Sequence, residues 1–204
     1  MSRESILAAI RKNGGAGHGG PPLPRLRLER AGGTTAERIA LFTETLQGAS
    51  ATVLSAAGWA ELAETVVAYL RDHNYPAEVA VAPDPRLDGL AADPRLTIHR
   101  GAARPLDMVS ATVALAGIAE NGTVLLASGP ETPNTLNFMP DIAIVALPAD
   151  SVVGAYEDAF ALLPRPLPRI ATLVAGPSRT ADIEQTILLG AHGPRHLLVV
   201  LVGP

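Results

Sequence analysis

Apolar residues recur along this chain with two periods, one near 3.6 and one either alternating or continuous, and the two take turns. Near the amino terminus Ile6, Leu7 and Ile10 stand at helical spacing, predicting a short amphipathic helix that could pack on the main body or on another subunit. Ile39, Phe42 and Leu46 predict a second helix over 36–47, with Gly48 placed to end it. A strand over 51–55, a helix over 59–73 carrying Leu62, Val66, Val67, Tyr69 and Leu70, and a strand over 78–82 then make a βαβ unit. Such crossovers are right-handed and imply a parallel sheet with helices on its faces.

The stretch 83–105 is dense in Pro, Asp and Arg around a short strand at 96–99, and reads mainly as loop. Apolar runs at 111–119 and 123–127 flank Asn121-Gly122, a dipeptide that tolerates the positive φ of a tight turn, so a hairpin is expected with Glu120 beside its tip. A buried strand at 141–147 and an amphipathic helix over 152–163 follow. The loop 130–134, with Phe138-Met139-Pro140 behind it, reads either as a lid or as an ordinary connection. The strand 170–175 is stopped by Gly176-Pro177. A helix is then expected over 180–190, with Thr180 as N-cap and Asp182 and Glu184 in its first turn. A turn at 191–195 leads to a last apolar strand at 196–202. The pattern predicts an α/β fold in three layers, with a mostly parallel sheet and one β-hairpin. Its body is residues 36–204, and residues 1–35 form a helix and a Gly/Pro-rich arm.

Composition narrows the chemistry. Hydrophobic residues make up 48% of the 204 but aromatics only 3%, so aliphatic side chains and alanines must fill the core. Sixteen basic against 20 acidic residues give a charge of −4, with no basic stripe to suit a nucleic acid. No apolar run reaches the length of a membrane span and no secretory leader is evident, so a cytoplasmic address is expected. The chain has no cysteine, which removes thiolate chemistry and iron–sulfur ligation, so any cluster must belong to a partner. His18, His73, His99 and His196 lack metal-binding spacing, and no Rossmann fingerprint, a GxGxxG turn leading from a strand into a helix, is available. No metal or cofactor is therefore expected.

In an open α/β sheet a ligand usually sits beyond the carboxyl ends of strands. Ser178, Arg179 and Thr180 would line such a crevice. A helix start beside an arginine suits a phosphate or carboxylate. The plainer alternative is that Ser178 and Thr180 cap the helix while Arg179 pairs with Asp182 or Glu184. His192, in the following turn, could serve as acid or base near neutral pH or cap the end of that helix.

Two segments carry a family resemblance. Gly176 to Arg195 reads GPSRTADIEQTILLGAHGPR, and Gly117 to Leu125 reads GIAENGTVL. Both resemble signature segments of the LUD-domain family, specifically its lactate utilization protein C group, and the resemblance extends over residues 36–204. Asn121 departs from the threonine common at its position, while Glu120 and Thr123 keep the pattern. The resemblance implies a fold similar to that of ribose-phosphate isomerase and the coenzyme A transferases. It also implies an accessory role in oxidising L-lactate to pyruvate alongside iron–sulfur partner proteins, with a small anionic metabolite as ligand. The candidate ligand residues are Asn121, Gly122, Thr123, Gly176, Ser178, Arg179, Thr180, Asp182, Glu184 and His192. Glu120-Asn121-Gly122 also resembles the segment bearing the nucleophilic glutamate of some coenzyme A transferases. Glu120 is accordingly the candidate nucleophile or general base of an alternative, transferase- or isomerase-type enzyme. Otherwise it is a solvated hairpin residue or one bound to a neighbouring loop.

Overall fold

The computed structural model describes residues 2–14, 31–181, 187–189 and 192–203. Residues 15–30, within the Gly/Pro-rich arm expected from the sequence, and the motif positions Asp182 and Glu184 lie outside them. In chain order the helices and strands are α1 (Arg3–Gly14), α2 (Thr35–Gly48), β1 (Thr52–Ala56), α3 (Leu62–Asp72), β2 (Glu78–Val81), α4 (Asp88–Ala91), β3 (Thr97–Arg100), β4 (Val109–Val113), β5 (Ala116–Ile118) and β6 (Thr123–Ala127). They continue with β7 (Ile142–Pro148), β8 (Val152–Val153), α5 (Tyr156–Ala161), β9 (Ala171–Val174), β10 (Arg179–Ala181), β11 (Ile187–Leu189) and β12 (His196–Val202).

Six strands form a wholly parallel sheet in the order β1-β12-β7-β4-β2-β3. Its central strands are buried on both faces and therefore read as continuous apolar runs. Successive side chains still divide by parity. Ile142, Ile144 and Ala146 of β7 join Leu198, Val200 and Val202 of β12 in one core with Leu62, Val66 and Leu70 of α3. Ala143, Val145 and Leu147 join Leu197, Val199 and Leu201 in a second core with Phe42 and Leu46 of α2. Each large aliphatic side chain so buried contributes about 1.5–3 kcal/mol. Helix α2 is started by a capping box: Thr34 Oγ1 accepts the Glu37 amide at 3.3 Å and Glu37 Oε2 accepts the Thr34 amide at 2.7 Å.

A smaller sheet, β8-β5-β6-β9, shares the α2 side of the main sheet. Val124, Leu126 and Val174 face the core beneath α2, while Ile118 and Leu125 pack on the other face with Ala159 of α5. The expected hairpin is present as β5 and β6, paired antiparallel around the turn at Glu120 to Gly122. The run 111–119 is divided, however. Its first part completes β4 in the parallel sheet, and its second part becomes β5 in the smaller one. The expected helix over 152–163 shortens to α5, after a two-residue strand paired with β5.

Two expectations need correction at the carboxyl-terminal signature. Strand β9 does not belong to the parallel sheet; it pairs antiparallel with β6. In addition, no helix opens at Thr180, because Arg179, Thr180 and Ala181 pair antiparallel with Leu189, Leu188 and Ile187 as a two-stranded ribbon. Thr180 and Ile187, which pair in this ribbon's strands, are β-branched, and such residues favour extended backbone and lose rotamer freedom in a helix. The capping role given to Thr180, and the helix-start argument for an anion beside Arg179, fall with that helix.

Candidate functional site

Glycines hold both signature segments against one end of α2. Gly122 has φ +63°, and a Cβ there would lie 2.6 Å from Leu46 N. Gly176 has φ +140°, and a Cβ there would lie 2.9 Å from the Ala49 carbonyl oxygen. Only a residue without a side chain allows backbone to approach so closely in those conformations. The guanidinium of Arg179 donates from Nη2 to Ser50 Oγ, immediately beyond the same helix end. The two segments therefore converge on residues 45–50, yet the cavities described below are lined by neither Glu120 nor Arg179.

Glu120 is half-buried, and its Oε1 accepts the amide of Tyr156 at 3.2 Å, the first residue of α5. Helix α5 has no side-chain cap of its own, so this carboxylate supplies one from across the chain. Asn121 donates from Nδ2 to the Tyr156 hydroxyl. Asn121 Oδ1 and Thr123 Oγ1 are buried and have no hydrogen-bond partner among the described residues. The turn thus holds two unmet polar atoms where the sequence placed ligand contacts.

The described ends of the 176–195 signature meet at the amino ends of β7 and β12. Ser178 N donates to the Pro194 carbonyl at 2.8 Å. Gly176, Ser178, His192 and Pro194 line a groove of about 220 Å³ with Phe138 and Leu173. Asn137 lies at its inner end and also borders a narrow apolar cavity of about 20 Å³ behind it. Only 7% of Asn137 is exposed, and its Oδ1 is buried without a hydrogen-bond partner among the described residues. A buried amide oxygen left unpaired is costly, which makes it a natural contact for a donor-bearing guest. Asn137 was not legible in the sequence as anything but loop.

A larger cleft, about 300 Å³, lies at the opposite, carboxyl ends of the strands of the parallel sheet. The chain steps outward from β2 to β3, then returns to β4 and proceeds the other way through β7 to β12. The strand order thus reverses between β2 and β4, and the crevice beyond the carboxyl ends at such a switch point is the usual ligand site of an open α/β sheet. Asp84 and Arg86 follow β2, Val113 ends β4 and Leu115 follows it, and all four line the cleft. Ala127 to Thr132 and Pro164 complete it, so the first part of the loop 130–134, Pro130 to Thr132, forms a rim.

Asp84 is 2% exposed. Its Oδ1 accepts Arg86 N at 2.9 Å and Nε at 3.0 Å, and its Oδ2 accepts Nη2 at 2.6 Å. Burial alone would raise the carboxyl's pKa, but hydrogen bonds from Arg86 and the charges of Arg86 and Arg100 more than offset it, holding the group below its ordinary value. The guanidinium of Arg86 also lies over the ring of Trp59, 5.7 Å from its centroid. Asp84 and Arg86 were missed in the sequence. The available signal was Asp-Pro-Arg shortly after a strand, an aspartate cap with proline at the first position of a 3-10 turn.

Comparison with known proteins agrees with the fold and the signatures. Residues 109–202 match the family model named LUD domain. Over 91 residues the chain is 36% identical to an uncharacterized protein of Neisseria meningitidis, a match covering 43% of this chain and 39% of that one. Over 91 residues it is 34% identical to lactate utilization protein C of Geobacillus thermodenitrificans and 30% to that of Bacillus subtilis, each match covering 42% of this chain and 38% of the relative. The matches thus span about two fifths of the length of these curated relatives. A crystal structure of a DUF162 family protein from Deinococcus radiodurans superposes with a TM-score of 0.64 at 20% identity, covering 84% of this chain and all of that one, and so shares the fold. Residues 109–202, the stretch that holds β4 to β12, are thus similar to the LUD domain.

Proposed function

We propose that this chain is an accessory component of L-lactate utilization, acting in the oxidation of L-lactate to pyruvate with iron–sulfur partner proteins and binding a small anionic ligand. The observation that carries the reading is the 34% identity over 91 residues to a protein named lactate utilization protein C. The residue inventory supports the division of labour. Without cysteine the chain has no thiolate to ligate a cluster, so the electrons of the oxidation are assigned to partners. The groove supports the ligand-binding part, because Gly176, Ser178 and His192 of the signature line it with Asn137 at its inner end. Among the described residues no helix is long and apolar enough to cross a membrane.

The test is affinity isolation of the tagged full chain from cells grown on L-lactate, followed by identification of what comes with it. Recovery of iron–sulfur proteins is the expected result. Recovery of none, with the tagged chain otherwise functional, would contradict the partnership.

A further inference from the structure

The chain uses one short motif twice. Asp84-Pro85-Arg86-Leu87 and Asp93-Pro94-Arg95-Leu96 share sequence and local geometry. In the second copy Asp93 Oδ1 accepts Arg95 N and Nε, each at 2.9 Å, and Oδ2 accepts Nη2 at 2.7 Å, matching the bonds of Asp84 and Arg86. Each aspartate thereby fixes its arginine so that the Nη1 corner points away from the turn. In the second copy that corner is occupied: Arg95 Nη1 donates to Glu64 Oε2 at 2.7 Å. In the first copy Arg86 Nη1 has no hydrogen-bond partner among the described residues, and Arg86 lines the switch-point cleft. The molecule therefore holds a carboxylate on one of two like turns, and opens the other onto a cavity.

We propose that the cleft at the carboxyl ends of β2 and β4 binds a short-chain monocarboxylate, with Arg86 Nη1 receiving the carboxylate as Arg95 Nη1 receives that of Glu64. Three features define the ligand class. The fork is planar and already oriented, which suits a carboxylate and lowers the ordering cost of binding it. The facing wall of Val113, Leu115, Ala127 and Pro164 is apolar, and a short carbon skeleton would lie against it. Finally, Asp84 is spent on Arg86 and Glu131 stands on the rim within electrostatic range of it, so a doubly charged phosphate would meet two carboxylates where a monoanion meets less repulsion. Glu131 accordingly competes with the guest for the same cation. This assignment concerns a cleft at the opposite ends of the strands from the signature groove, and it stands whether or not the chain serves lactate utilization.

The test is titration calorimetry of the full chain with acetate, propionate, L-lactate and pyruvate, with inorganic phosphate as the contrasting anion. Monocarboxylates are expected to bind and phosphate to bind more weakly. Arg86→Gln should weaken monocarboxylate binding about tenfold or more, since a charge-assisted hydrogen bond is lost. Arg86→Lys should weaken it as well, because the charge remains but the fork does not. Glu131→Gln, at an exposed rim position, should leave the fold intact and tighten binding. Arg95→Gln, in the sister turn, should change nothing. Absence of monocarboxylate binding, phosphate binding more tightly, or affinities indifferent to both Arg86 and Glu131 would overturn the proposal. The Glu131 variant keeps the test decisive if the Arg86 variants fail to fold.

Discussion

Arg179 donates a hydrogen bond to the hydroxyl of Ser50 just past the carboxyl end of α2, a helix whose last turn contains no basic residue of its own. A cation at that position complements the negative end of the helix dipole. The arginine that the sequence offered as an anion receptor is thus engaged in holding a helix end. Arg179→Ala should lower stability by about 0.3–1 kcal/mol, and the loss should shrink as salt rises, because the side chain is exposed. Urea denaturation at low and high ionic strength checks both parts.

The same helix end sets a steric prediction. At Gly122 an added Cβ meets backbone atoms of Thr45 and Leu46 within 3 Å, in a left-handed conformation. Gly122→Ala should therefore cost about 2–4 kcal/mol, from backbone strain together with overpacking that rigid neighbours cannot relieve. At Gly48 nothing lies within 4 Å of an added Cβ, and the residue is the last of α2. Gly48→Ala should leave stability unchanged or raise it by up to about 1 kcal/mol. Denaturation midpoints of the two variants, measured side by side, separate the cases.

Asp84 predicts an acid dependence. Its folded-state pKa lies below the ordinary carboxylate value, so its contribution to stability is fully present above about pH 4 and is lost as pH falls through the folded value. Asp84→Asn should be less stable than the parent at pH 7, and the difference should close on acidification toward pH 2. Asp93, held at about 2 by the hydrogen bonds of Arg95, titrates in the same direction, so the variant should retain part of the acid slope. Unfolding free energies across pH 2–7 give the comparison. A gap that stays constant would mean that the Asp84 charge is not the group responsible.

Glu120 caps the start of α5 through the Tyr156 amide. Gln keeps the accepting oxygen, so Glu120→Gln should alter stability by less than about 0.5 kcal/mol, whereas Glu120→Ala should cost about 1 kcal/mol. If the residue only positions α5, the Gln variant also supports growth on L-lactate as the parent does. Loss of growth with stability intact would instead give the carboxylate a chemical duty, as the transferase-like reading has it.

The sequence showed the parallel sheet clearly because β7 and β12 are buried on both faces, and a strand in that position can only be an apolar run. It also showed the β5–β6 turn, where Asn121-Gly122 declares its backbone. The course of the carboxyl-terminal signature was hidden, since polar and β-branched residues at 180–187 satisfy a helix start and a ribbon alike, and β9 differs from a parallel strand only in its partner. The clefts were hidden for another reason. Arg86 and Arg95 sit in the same tetrapeptide, and only the fold puts Glu64 beside one and open space beside the other. Asn137 likewise acquires meaning only from the strands that close over it.

Growth is the most direct measure of the central claim that the chain serves L-lactate utilization. A strain lacking this coding sequence should grow as the parent does on glucose, fail on L-lactate as sole carbon source, and recover when the full chain is supplied. Equal growth of the two strains on L-lactate, with the deletion verified and no second copy present, would contradict the account.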